Sequence, residues 1–412
     1  MRRKSSFLFL VPMSIIVLFP CLVHPQAAKE AATPIKSVKV GVISPQSGPL
    51  AYFGMSVLRG SEIAIKNINA KGTLGKGPGI LVGNQRYKLE IVSYDDSADP
   101  AKSVSGMRKL AEMYKVAVIL GPLGTPQVWA CQEVNVPLGI LFNGMSASDQ
   151  SRKKGNPLYI QERIPALHYG EPMAQACMER GFKKACVLTD INEAYVTWGK
   201  RFQQKFESLG GQVLKLDSVD IKNTTDYHSV MTGFKAQNPD IIFIACYDEP
   251  GALAANHALE VGYKGKFFFG SDWTAKSEKI LDLSRVQGTL IEAQNHVYFA
   301  KYPDRDKRGF FTAFYKQYTE TYKEAYGVAA MIYDQPWMFA RAMEIANSVT
   351  DAHAIRAACP KALMEGKLPL INANNDVLGN GLLYGAPELL LEVKGNGYNF
   401  LKELRVERKV LE

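Results

Sequence analysis

The stretch VKVGVISPQSGPLAYFG, residues 38–54, carries the pattern on which the fold turns. Residues 38–44 form a short apolar run suited to a buried strand. Pro45, Gly48 and Pro49 break that run and mark a turn-rich segment. Past the turn, Val57, Gly60, Ala64, Ile65 and Ile68 fall on one face of a helix over residues 53–69. Strand, turn and helix in this order open a βα unit.

The unit repeats along the chain. A polar, Gly-rich loop at 71–79 leads to residues 87–94, which alternate as a strand. Asp99 caps a helix whose first residue is Pro100. Residues 116–120 and 138–142 read as strands, with a short helix at 126–133 between them. Four helix–strand pairs follow, at 166–180 and 185–188, 197–209 and 212–219, 227–236 and 240–245, and 250–261 and 266–270. Strands separated by helices of this length form parallel sheets. Two such sheets are expected, one on each side of about residue 155, giving an α/β protein of two similar lobes. The length of 412 residues also exceeds one ordinary core.

Residues 304–348 are strongly helical. Their stripe of Phe310, Phe311, Phe314, Tyr315, Tyr318 and Tyr322 is expected to be a packing face. Residues 377–405 read as hairpins turning at 379–381 and 395–397.

At the N-terminus, Arg2, Arg3 and Lys4 precede an apolar run over 7–23, and small residues follow. That is the layout of a secretory signal, expected over 1–28, and it implies a periplasmic protein. Pro12 and Pro20 interrupt the run, which is marginal for spanning a bilayer. Cys21 is a less favoured alternative, as a lipid tether. Loss of the three basic residues lowers the formal charge from +9 to +6, and no dense basic run exists to bind nucleic acid. Cys131, Cys177, Cys186, Cys246 and Cys359 remain, an odd number without a Cys-x-x-Cys pair. They read as small core residues, with one bridge left open.

Signals for catalysis are weak. The loop GTLGKG at 72–77 lacks phosphate-loop spacing and lies between helix and strand. The segment GMSAS at 144–148 lacks the second glycine of a nucleophile elbow, and no helix pattern starts directly after it. His168, His228, His257, His296 and His353 show no i, i+4 metal spacing. A Ser–His–acid triad would assemble only in space. Neither an enzyme nor a cofactor or metal site is expected.

Residues 38–54, GSEIAIKNINAKG at 60–72, YDDSADP at 94–100, GPLGT at 121–125, DIIFIACY at 240–247 and FGSD at 269–272 occur in this order. Together they resemble the leucine/isoleucine/valine-binding protein family, the type I periplasmic solute-binding proteins of ABC importers. The resemblance runs from about residue 37 to beyond 300. It implies two Rossmann-like lobes joined by three hinge crossings, at 36–158 plus 290–376 and at 159–289 plus 377–412. It further implies a monomer that captures an apolar or aromatic amino acid by hinge closure and delivers it to a membrane permease. An aromatic acid, a small amide, or a ligand-sensing receptor role are the alternatives.

The resemblance also assigns a site. Thr125 would bind the ligand carboxylate, and Thr125-Pro126 independently reads as a helix start, where N–H groups favour an anion. A helix cap is the alternative role for Thr125. Met145, Ser146 and Ala147 match the segment that completes the carboxylate site, with Ala147 standing where the family has Thr. Ser146 or Ser148 could substitute. Asp272 matches the acidic partner of the ligand ammonium; its alternative is to open the turn near Trp273. Tyr247, Tyr195 and Phe53 match aromatic positions of the cleft, or belong to the core. A disulfide found in some relatives would join Ala98 and Gly124, so it is absent.

Overall fold

The opening stretch folds as its pattern predicts. Strand β1, Lys36–Ser44, runs straight into the turn and then into the helix Ala51–Lys71. The structure, a computed structural model, describes Leu8 and residues 34–412, apart from Arg163, Lys222, Ser271, Asp272, Thr274, Ala275, Ala373 and Asn374. The signal peptide expected over 1–28, Leu8 aside, and the candidate residue Asp272 therefore lie outside the described residues.

Around β1 forms a six-stranded sheet of β2 (Ile80–Val82), β3 (Gln85–Asp95), β4 (Val118–Leu123), β5 (Leu141–Met145) and β6 (Tyr159–Gln161). The order is β2-β3-β1-β4-β5-β6, parallel throughout except for β2, which forms a hairpin with β3. Val40, Val42, Val118 and Leu120 join one apolar cluster, while Ile43 and Ile119 join another on the opposite face. A sheet covered on both faces demands such continuous apolar runs.

The second sheet has seven strands, β7 (Lys184–Asp190), β8 (Gln212–Val219), β9 (Ile241–Ala245), β10 (Lys266–Phe269), β11 (Leu290–Gln294), β14 (Glu388–Lys394) and β15 (Gly397–Leu404). Its order is β15-β14-β11-β10-β9-β7-β8, and β14 runs antiparallel to both its neighbours, β11 and β15. A short antiparallel pair, β12 (Asp376–Val377) and β13 (Leu383–Tyr384), lies apart. Both sheets are thus mixed, mostly parallel.

Several details differ from expectation. β6 pairs with β5 in the first sheet, although residue 159 was expected to open the second lobe. β11 pairs with β10 and β14 in the second sheet, beyond the crossing expected at 290. Burial explains the latter, because Leu290 and Ile291 are wholly enclosed beside Phe268 and Phe269. A helix passed over in the sequence, Ala352–Met364, is capped by the Asp351 carboxylate, which accepts from Ala354 N at 2.9 Å. A four-residue helix, Gln150–Lys153, does follow the segment 144–148. The aromatic stripe packs: Phe311, Phe314 and Tyr318 are buried, with Tyr315 and Tyr322 against the same cluster. Among the described residues, Cys131, Cys177, Cys186, Cys246 and Cys359 are all buried. Among the described residues, no helix is long and apolar enough to cross a membrane.

Asp334 ties a late loop to this core. Its buried carboxylate accepts from Ile371 N at 2.7 Å and Asn372 N at 2.9 Å. Burial pushes its carboxyl up to about 7, against the pull of those two bonds. A raised folded value means the protonated form stabilises the fold. That contribution is complete below the ordinary Asp range and is lost as pH rises from about 4 to 7. Urea unfolding should show wild-type stability falling over that window by a few kcal/mol at most, with a flatter slope in Asp334→Ala. The substitution itself should cost about 1–3 kcal/mol for each N–H left without an acceptor.

Candidate functional site

Parallel strands leave their carboxyl ends on one edge, and a cleft opens there. From the first sheet it takes Leu123 and Met145, the last residues of β4 and β5, and Glu162, which follows β6. From the second it takes Asn192 and Tyr247, which follow β7 and β9. Phe53, Tyr195, Val328 and Met331 add apolar walls.

Seven of the eight residues singled out in the sequence meet in this cleft: Phe53, Thr125, Met145, Ser146, Ala147, Tyr195 and Tyr247. The eighth, Asp272, is outside the described residues.

Thr125 begins the helix Thr125–Gln132, directly after Gly124. Gly124 holds φ at 110°, and a Cβ there would lie 2.4 Å from the Gln127 side chain, so only glycine makes this corner. The Thr125 hydroxyl is 3.0 Å from the Ser146 hydroxyl, which is 2.7 Å from Ser151 Oγ. Trp129 Nε1 donates to Ser151 at 2.9 Å, and the Ser148 N–H donates to Ser146 at 3.2 Å. Both nitrogens can only donate. Each hydroxyl pair can be bridged in either sense; when Ser151 donates to Ser146 and Ser146 to Thr125, the Thr125 O–H is left to donate into the cleft. A helix N-terminus beside it adds partial positive charge. Such an arrangement suits an anion. Ser146, the half-elbow serine, meets two hydroxyls and an amide N–H, none of which is a general base.

Three rings form the opposite wall. Tyr247 lies 5.3 Å from Phe53 and 5.4 Å from Tyr195, centroid to centroid. Phe53 and Tyr195 are buried, whereas Tyr247 is half-buried and touches three apolar clusters. Ala147 is partly buried against the second lobe's core, and its neighbour Ser148 donates to Glu193 Oε2 at 2.8 Å.

Sequence reasoning missed Glu162, Asn192, Leu123, Val328 and Met331. Glu162 is buried and is the one carboxylate among the described lining residues. A charge two residues past the apolar run 158–160 was the available signal. Asn192 caps the helix Glu193–Ser208 by accepting from Ala194 N at 3.1 Å, and a helix start set too late hid it. Val328 and Met331 come from distant helical sequence and carried no signal.

Two mostly parallel sheets with a cleft at their carboxyl edges define a two-lobed ligand-capturing protein. A periplasmic binding protein family model matches residues 37–373. Leu/Ile/Val-binding protein homolog 7 of Brucella abortus is 26% identical over 312 residues, covering 72% of this chain and 73% of the relative. The Leu/Ile/Val-binding protein of Escherichia coli K12 is 22% identical over 259 residues, 62% of this chain and 66% of that one. Among solved structures, the leucine-binding protein of Thermotoga maritima superposes with a TM-score of 0.71 at 22% identity, covering 89% of this chain and 98% of that one. A solute-binding protein of R. palustris in complex with benzoate gives 0.73 at 18% identity, over 89% and 96%. The chain belongs to the periplasmic binding protein family. Its fold is the type I fold of these proteins, and the family is one of solute binders rather than an enzyme class.

The loop behind the hydroxyl chain is braced by Asp149. Its carboxylate meets Arg152 Nε at 2.7 Å, His168 Nε2 at 3.1 Å and the Lys153 ammonium. Burial alone would raise its pKa, but the His168 and Lys153 hydrogen bonds and the Arg152 charge outweigh burial and hold it well below the usual range. A depressed folded value gives stability that is present above about pH 4 and lost as acid protonates the group. Asp149→Ala leaves Arg152 buried without its carboxylate and should destabilise by about 3–5 kcal/mol. Denaturant unfolding at neutral pH measures that loss.

Proposed function

We propose that this chain captures an apolar or aromatic amino acid in the cleft, closes by hinge motion and passes its ligand to an ABC-type membrane permease. The observation that carries the reading is the pairing of opposite ends in one cleft. Thr125 and its helix start suit a carboxylate, the three rings suit an apolar side chain, and Glu162 suits an ammonium. Asp272 keeps its proposed role as an acidic partner on the second lobe. In this proposal the lobes keep the expected division, with the first two crossings drawn just past β6 and β11. A periplasmic monomer that performs no chemistry completes the proposal.

A second reading, an aromatic carboxylic acid, draws support from the same three rings, which suit a flat ligand. The amine separates the two readings. In thermal unfolding of protein stripped of carried ligand, an amino acid at 100 times its Kd should add about 2.7 kcal/mol of stability. Thr125→Val should weaken binding by about 1.5–3 kcal/mol, the worth of a hydrogen bond to a charged group. Glu162→Gln and Asp272→Ala should weaken amino acids and spare their des-amino analogues. Shifts by des-amino acids alone would favour the aromatic-acid reading, and no shift by either class would sink both.

A further inference from the structure

A second cluster of chemistry lies well away from the cleft. Tyr247 sits at the start of the helix Asp248–Glu260, whereas His257 and Glu260 sit at its far end, about 15 Å along the axis. There they meet Asp226 and His228, which lead into the helix His228–Ala236. Asp226 Oδ1 is 2.6 Å from His228 Nδ1 and 3.8 Å from His257 Nδ1. The two imidazoles stack with centroids 4.0 Å apart. Glu260 Oε2 is 2.8 Å from His228 Nε2.

We infer that Asp226, His228 and His257 form a binding site for a divalent transition-metal ion of the zinc class. One ligand atom from each lies within 4.8 Å of the others. An ion about 2.0–2.2 Å from each atom in tetrahedral geometry sets the ligand atoms about 3.3–3.6 Å apart, so Asp226 Oδ1 and His228 Nδ1 must part somewhat while wider separations close. Two imidazoles with one carboxylate match zinc and its neighbours rather than calcium or magnesium, which take oxygen ligands. Glu260 supplies the outer partner such a site uses, accepting from the ring nitrogen that faces away from the ion. The His228 side chain is 43% exposed and that of Asp226 75%, so an ion has a path in and both can adjust. Solvent fills the fourth position.

Coordination has a cost. It displaces the proton shared by Asp226 and His228, and it frees the Tyr227 backbone N–H that donates to His257 Nδ1 at 3.0 Å. The His257 ring must also turn out of its stack, because an ion between two parallel rings lies in the plane of neither.

Equilibrium dialysis and calorimetry with zinc chloride test the site, using full-length mature chain free of any polyhistidine tag and stripped with a chelator. One equivalent of zinc per chain is expected. His228→Ala and His257→Ala should each remove it, while far-UV circular dichroism stays unchanged. Glu260→Gln should keep the stoichiometry and weaken affinity about 10–100-fold. Absence of a stoichiometric zinc site in the wild type would overturn the inference. So would a His228→Ala His257→Ala double variant that binds as the wild type does.

Discussion

A parallel strand cannot turn back on its neighbour; it must cross the sheet face through a helix before the next strand begins. This requirement places the carboxyl ends of β4, β5, β7 and β9 on working edges and fills both faces with apolar side chains. It also places helix starts at those edges, so Thr125 and Asn192 arrive with the partial charge of a helix end beside them. Cleft chemistry is largely what the topology leaves at its own rim.

Much of this was legible in the sequence because the signals were local. The run 38–44, the turn and the helical face beyond it can be read without knowing what packs on them. Thr125-Pro126 announces a helix start after an apolar strand, and the half-elbow segment ends another strand. What escaped was set by distant packing. β11 has Glu292 at its centre, and a charge inside a five-residue run hides the strand until burial reveals it. The helix Ala352–Met364 contains Pro360, which reads as a breaker, although Asp351 caps its start. Glu162 follows a strand of three residues, too short for period to register.

In the proposed carboxylate site, recognition would depend on order more than on charge. The chain Trp129, Ser151, Ser146, Thr125 contains no cation; it starts at a donor-only indole and continues through hydroxyls that can each donate or accept. Ala147, where the resemblance led to an expected Thr, stands one residue from Ser146, whose hydroxyl lies inside the same chain. The cost is sensitivity to shape: the chain works only while the loop bearing Ser146, Ser148 and Asp149 keeps its place, and Arg152 is what Asp149 holds it with.

The five buried thiols bear on how the molecule can be watched. Burial pushes Cys186 up to about 11 and Cys359 up to about 12, so neither offers a thiolate at neutral pH. They are also distributed: Cys131 and Cys359 sit in clusters around the first sheet, and Cys177, Cys186 and Cys246 in those around the second. An alkylating reagent reaches each one only when its own core opens. Mass spectrometry of the labelled chain would thus report, without a single engineered probe, which half of the molecule loosens first.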